Sequence, residues 1–176
     1  MKNKIIICGI APHLENDLKN IFKTMELDNF DFIAVGLNCS DRIKFDIQHA
    51  VSYHPKEFVE FKNRRERIGG NLDFTTHSHI SPCDRMWPLV APHPYSGSSS
   101  FLAAQVATGL RYQKIILCGC PLQGSNLHSP QKSQYEIFQK GWTKHAARIF
   151  GKDKVRSMSG WTKDFLGEPT IEWLNS

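Results

Sequence analysis

Lys4-Ile5-Ile6-Ile7-Cys8-Gly9-Ile10-Ala11-Pro12-His13-Leu14 is the stretch that decides the fold of this 176-residue chain. Its apolar run is short, continuous and rich in isoleucine, without polar alternation, and so reads as a strand buried on both faces. Gly9 and Pro12 close that strand, after which Leu14, Leu18, Ile21, Phe22 and Met25 recur at helical spacing. A strand, a glycine turn and an amphipathic helix in that order open a parallel α/β unit.

The same pattern repeats along the chain. Further strands are predicted over Asp31 to Val35, His49 to Tyr53, Leu72 to Thr76, Lys114 to Cys118 and Lys154 to Met158. Between them, Phe58, Val59 and Phe61 form a short stripe after Pro55, and Ser98 to Leu110 is apolar nearly all round. A longer helix is predicted from Gln131 to Phe150, interrupted at Gly141. His77 to Tyr95 holds four prolines and reads as a long loop. The expected architecture is a single α/β domain over 1–176, a Rossmann-like three-layer sandwich with a mainly parallel central sheet.

Composition narrows the partners. A hydrophobic content of 40% supplies one sizeable core, and the net charge of +5 comes from scattered Lys and Arg. The densest patch, Lys62, Arg64, Arg65 and Arg67, reads as a solvated helix face. The balance suits an anionic, phosphate-bearing small molecule and places nucleic acid second. The five cysteines are an odd count, and Cys8, Cys118 and Cys120 sit in or beside apolar runs as small buried hydrophobes, which points to a reducing, cytoplasmic setting. The apolar run after Met1 is too short for a secretory signal, and no segment is long enough to span a bilayer. A homo-oligomer is left open.

Several constellations could carry chemistry. Tyr95-Ser96-Gly97-Ser98-Ser99-Ser100 comes directly before the most apolar helix, where free amides, the helix dipole and hydroxyl donors favour a phosphate. The competing meaning is a plain helix cap, since Ser is a preferred N-cap residue. Gly9-Ile10-Ala11-Pro12-His13 lies at the carboxyl end of the first strand, Asn38 beyond the second and His54 beyond the third, so ligand-reading groups stand past successive strand ends. His77, His79, His93 and Asp84 could be imagined around a metal, yet no HExxH or carboxylate signature supports one, and no metal site is expected. His128, before the long helix, and His145, on it near Trp142, are candidates for a general base.

In that order the chain resembles the bacterial sialyltransferases that use CMP-sialic acid, and the related pterin diphosphokinase-like domains. The opening strand, turn and helix around Gly9 to Leu14 is similar to theirs, as are Asp31 to Asn38 and Ala50 to Pro55. The most specific likeness is Ser96-Gly97-Ser98, an alanine-rich helix, and Gly109-Leu110-Arg111-Tyr112-Gln113-Lys114-Ile115-Ile116-Leu117-Cys118-Gly119. The resemblance implies a nucleotide or nucleotide-sugar ligand of CMP type and no required cofactor. Ser96, Gly97 and Ser98 would hold the phosphate, Asn38 and His54 would approach ribose and phosphates, and His128 would be the base. The expected function is a small, metal-independent glycosyltransferase-like protein. Two alternatives stand beside it: binding of a nucleotide-derived ligand without turnover, and diphosphate transfer to a pterin-type alcohol, which would need Mg²⁺ held by carboxylates.

Overall fold

A computed structural model of the chain describes residues 2–96, 98–123, 132–151 and 153–176. The strands are β1 (Lys4–Cys8), β2 (Asp31–Val35), β3 (His49–Val51), β4 (Thr75–Ser78), β5 (Arg85–Met86), β6 (Lys114–Cys118) and β7 (Val155–Ser157). The helices are α1 (Leu14–Phe22), α2 (Phe58–Arg67), α3 (Ser99–Gly109), α4 (Lys132–Phe150), α5 (Gly160–Leu166) and α6 (Ile171–Asn175).

All seven strands join one sheet in the order β5-β4-β3-β2-β1-β6-β7, and every pairing is parallel. The predicted Rossmann-like α/β sandwich is therefore the observed fold. Because side chains alternate along each strand, Ile5, Ile7, Ile33, Ile115 and Leu117 pack toward α3 and α4, where Phe101, Trp142 and Phe150 interlock. Ile6, Cys8, Phe32, Ala34 and Ile116 pack on the opposite face with Leu14, Leu18, Ile21, Phe61 and Trp173. Cys8 and Cys118 are buried free thiols, as the apolar runs predicted, and burial raises the pKa of both.

The departures from expectation have local causes. The fourth strand is not Leu72 to Thr76 but the polar run Thr75–Ser78, because its polar side chains are satisfied from neighbouring segments. Thr76 Oγ1 donates to Asp84 Oδ2 at 2.7 Å and Ser78 Oγ to Ser52 O at 2.7 Å. The proline-rich segment after it contains β5 as well as loop. On α2 the inward face is Phe58, Phe61 and Arg65, while Val59 is 71% exposed. Arg65 is fully buried and donates to Ile43 O, Phe45 O and Asn71 Oδ1, and Arg64 and Arg67 share Glu60. The basic patch is thus part structural and part solvated ion pair. Helix α4 continues through Gly141. Among the described residues no helix is long and apolar enough to cross a membrane.

A chain of hydrogen bonds runs inside the sheet edge. Trp87 Nε1 donates to His77 Nδ1 at 3.0 Å, and His77 Nε2 lies 3.1 Å from His49 Nδ1. With Nδ1 accepting, His77 carries its proton on Nε2, so both imidazoles are neutral. Burial lowers each pKa to about 4, with the Asp31 charge a smaller opposing effect on His49. A folded-state pKa below the unfolded value near 6.5 means the unfolded chain binds more protons in between. Stability should therefore be full above about pH 6.5 and fall as pH drops toward about 4. Thermal melts across that window check this, and the slope should flatten in His49→Gln if that variant folds.

Candidate functional site

The strand order reverses direction between β1 and β6, and the carboxyl ends of these two strands frame the crevice where open α/β sheets take ligands. A cavity of about 930 Å³ occupies this place. It lies within the size range of small-molecule sites. One wall is the β1–α1 turn, Gly9 to His13, and a second is Val35, Gly36, Asn38 and Arg42 beyond β2. Tyr53, His54 and His93 close one end, the first turn of α3 (Ser98 to Ser100) projects into it, and Gly119 to Gln123 with Gln134, Tyr135 and Phe138 complete the lining.

Close backbone approach builds the floor. Gly9 N donates to Cys118 O at 2.8 Å, and Ala11 N to Gly119 O at 3.1 Å. A Cβ on Gly9 would meet Gly119 O at 2.3 Å and Cys120 Sγ at 2.5 Å, so only glycine fits. Gly119 itself has φ of +64° and turns the chain sharply out of β6. Its amide donates to Asp17 Oδ2 at 2.8 Å, and Ser159 Oγ donates to the same oxygen at 2.8 Å. The α5 entry is tied in as well, since Thr162 Oγ1 donates to Cys120 O at 2.7 Å.

Arg42 fixes the opposite rim. Its guanidinium forks onto Glu15 at 2.9 and 2.6 Å and donates to Ile10 O at 2.6 Å and Ala11 O at 3.1 Å. The hydrogen bonds from Arg42 hold the Glu15 carboxyl below its usual pKa. Most of the cation's capacity is thus spent on shaping the turn, and a ligand would meet chiefly backbone amides, hydroxyls and imidazoles there.

The serine segment divides into separate roles. Ser96 is 1% exposed, its Oγ lies 2.8 Å from Tyr53 Oη, and it does not line the cavity. Ser98 begins α3 but makes no side-chain cap, its Oγ pairing instead with Ser100 Oγ at 2.5 Å. The first turn of α3 therefore has no side-chain cap from Ser98, and Ser98, Ser99 and Ser100 line the cavity. Gly97 lies outside the described residues.

Of the other residues singled out from sequence, Gly9, Ala11, Pro12, Asn38 and His54 all line the cavity. His128 lies outside the described residues. His145 does not line the cavity: it sits two turns of α4 beyond Phe138 and is buried, and that burial lowers its pKa. The histidines that do line it are His13, His54 and His93. His77 is committed to Trp87 and His49, and no group of three or more His, Cys, Asp or Glu is placed to hold a metal among the described residues.

Arg42, Tyr53 and Asp17 were not picked out from the sequence. Only Asp17 carried a signal, as an acid on the apolar stripe of α1. A shallower groove of about 450 Å³ lies over Glu136, Lys140, Lys144 and Trp161 on the outside of α4. It is wide open to solvent.

No protein-family model matches the chain, and neither curated proteins nor solved structures contain a significant match to it.

Proposed function

We infer that the β1/β6 cavity binds the nucleotide part of a phosphate-bearing ligand, and that the protein is a small glycosyltransferase-like enzyme using a nucleotide-sugar donor. The observation that carries this reading is the cavity at the switch point, with the first residues of α3 in its wall and no Asp or Glu among its described lining residues. Uncapped amides and the positive end of the helix dipole favour a phosphate group. Asn38 and His54 stand where ribose or phosphate oxygens would pass. The absence of lining carboxylates weighs against the diphosphotransferase alternative, which needs them to hold Mg²⁺.

Transfer would need a base at the acceptor hydroxyl. His128 keeps that role in the proposal, with an expected loss of roughly a hundredfold or more in turnover for His128→Ala and little change in nucleotide affinity. Binding without turnover is the second reading. The position of His145 away from the cavity favours it, since that leaves one fewer candidate base at the site. Five free cysteines support placing the protein in a reducing, cytoplasmic compartment.

A thermal-shift screen of CMP, UMP, GMP and AMP, their diphosphates and their sugar conjugates tests the reading. A ligand at about a hundred times its Kd should raise stability by about 2.7 kcal/mol, or roughly 5–10 °C in melting temperature. Adding a chelator should leave that shift unchanged. A screen in which no nucleotide moves the melting temperature overturns the reading, and a shift that appears only with Mg²⁺ restores the diphosphotransferase.

A further inference from the structure

One end of the cavity has a chemistry of its own. The Tyr53 ring lies against two imidazoles, with ring centroids 5.1 Å from His79 and 5.2 Å from His93. His93 also packs edge-on against Phe138 at 6.2 Å, and His54 follows Tyr53 in sequence. His54 and His93 line the cavity. Nδ1 of His79 is buried without a hydrogen-bond partner among the described residues, which is costly for a ring nitrogen.

Three imidazoles converge here from the ends of β3 and β4 and from the segment before α3. Besides burial, what lowers the pKa of His79 is the like charge of His93 and His54. Glu57, shortly after His54, accepts from Ser52 Oγ at 3.3 Å and does not line the cavity. Asp84 is held by Thr76. Tyr53 keeps its proton, because burial raises its pKa. Among the described residues the cluster is therefore a set of bases with no acid in its lining, at one end of the cavity proposed above to take a phosphate.

We propose that His54, His79 and His93 form a second anion subsite, so that the ligand carries a carboxylate or phosphate group separate from the phosphate held at the α3 N-terminus. The proposal rests on the nucleotide reading above and narrows it to donors or effectors with two acidic groups. An anion in the cavity beside His54 and His93 accepts hydrogen bonds from their ring N–H groups and offsets the repulsion that they and His79 exert on one another. Binding then draws protons onto the cluster. Affinity for a doubly acidic ligand should rise as pH falls through the imidazole range, whereas a singly acidic one should gain far less.

The test compares matched probes by calorimetry at about pH 6 and about pH 8: nucleoside bisphosphates against the corresponding monophosphates, and UDP-glucuronate against UDP-glucose. The doubly acidic member of at least one pair should bind about tenfold tighter or more at the lower pH, with proton uptake seen as a buffer-dependent heat. His93→Gln and His54→Gln, at less buried positions than His79, should each remove most of that preference while leaving affinity for the singly acidic partner. Ring resonances of the three histidines, followed in saturating inorganic pyrophosphate and in chloride, read the subsite without a nucleotide. If no nucleotide binds but the histidines titrate higher in pyrophosphate, the nucleotide reading fails and the subsite stands. If the paired probes bind equally and pyrophosphate leaves the histidines unmoved, the subsite is overturned.

Discussion

Gly9→Ala should lower the melting temperature by roughly 6–12 °C and abolish nucleotide binding, the larger part of the effect arising from a single methyl group. The Cβ would sit 2.3 Å from Gly119 O and 2.9 Å from Gly119 C, both backbone atoms, so the ends of β1 and β6 have to part. That movement breaks the hydrogen bonds from Gly9 N to Cys118 O and from Ala11 N to Gly119 O. Overpacking against a rigid neighbour costs about 3 kcal/mol, which at this chain length corresponds to the stated fall in melting temperature. Gly151→Ala is the matched control. Its φ is +78° with nothing within 4 Å of the added methyl, so it carries only the left-handed backbone penalty of about 1–2 kcal/mol and should spare the ligand. Differential scanning calorimetry and nucleotide affinity on both variants give the comparison. Retained nucleotide affinity in a folded Gly9→Ala protein would mean that the ligand does not lie over this turn.

Much of this geometry could be foreseen from residues whose conformation or burial is dictated locally. The strands β1, β2 and β6 were bounded correctly because short, continuous apolar runs rich in β-branched residues and closed by turn residues favour a strand covered on both faces. That Gly9, Ala11, Pro12, Asn38 and His54 line one cavity was foreseeable because residues just past parallel strands converge at one end of the sheet whatever their side chains do. The polar strand β4 was hidden, since Thr76, His77 and Ser78 are made acceptable inside by partners that are distant or unrelated in pattern: Asp84, Trp87, His49 and the Ser52 carbonyl. The short helices α5 and α6 left too few turns for a period to show. Ser96 was legible as part of a hydroxyl-rich run but not as the partner of Tyr53, forty-three positions away in sequence. Tertiary pairing of that kind leaves no local trace.

Asp17 was legible as an acid on an apolar stripe but not by its partners, and its removal should have the other large effect. Leu14, Asp17, Leu18 and Ile21 form the buried face of α1, so an acid stands where the helical stripe calls for an apolar residue. It is only 3% exposed, and one of its oxygens accepts both the Gly119 amide and the Ser159 hydroxyl at 2.8 Å. Those two bonds join α1, the turn after β6 and the start of α5, three segments that meet under the cavity. Asp17→Ala strands both donors in the interior, and hydrogen bonds to a charged acceptor contribute about 1.5–3 kcal/mol each, so the expected loss is about 3–6 kcal/mol and a melting temperature lower by about 10 °C or more. Asp17→Asn keeps an oxygen to accept but loses the charge and should cost about half as much. Ser159→Ala removes one bond alone and should cost about 1.5–3 kcal/mol. In the double variant Asp17→Ala with Ser159→Ala the losses should fall short of the sum by about 1 kcal/mol or more, because the second change removes a donor that the first had already stranded. Strict additivity would show that the two side chains do not share this interaction in solution. If the double variant also retains full nucleotide affinity, the Gly119 turn holds its shape without Asp17, and the floor of the cavity is set by Gly9 and the β1/β6 register alone.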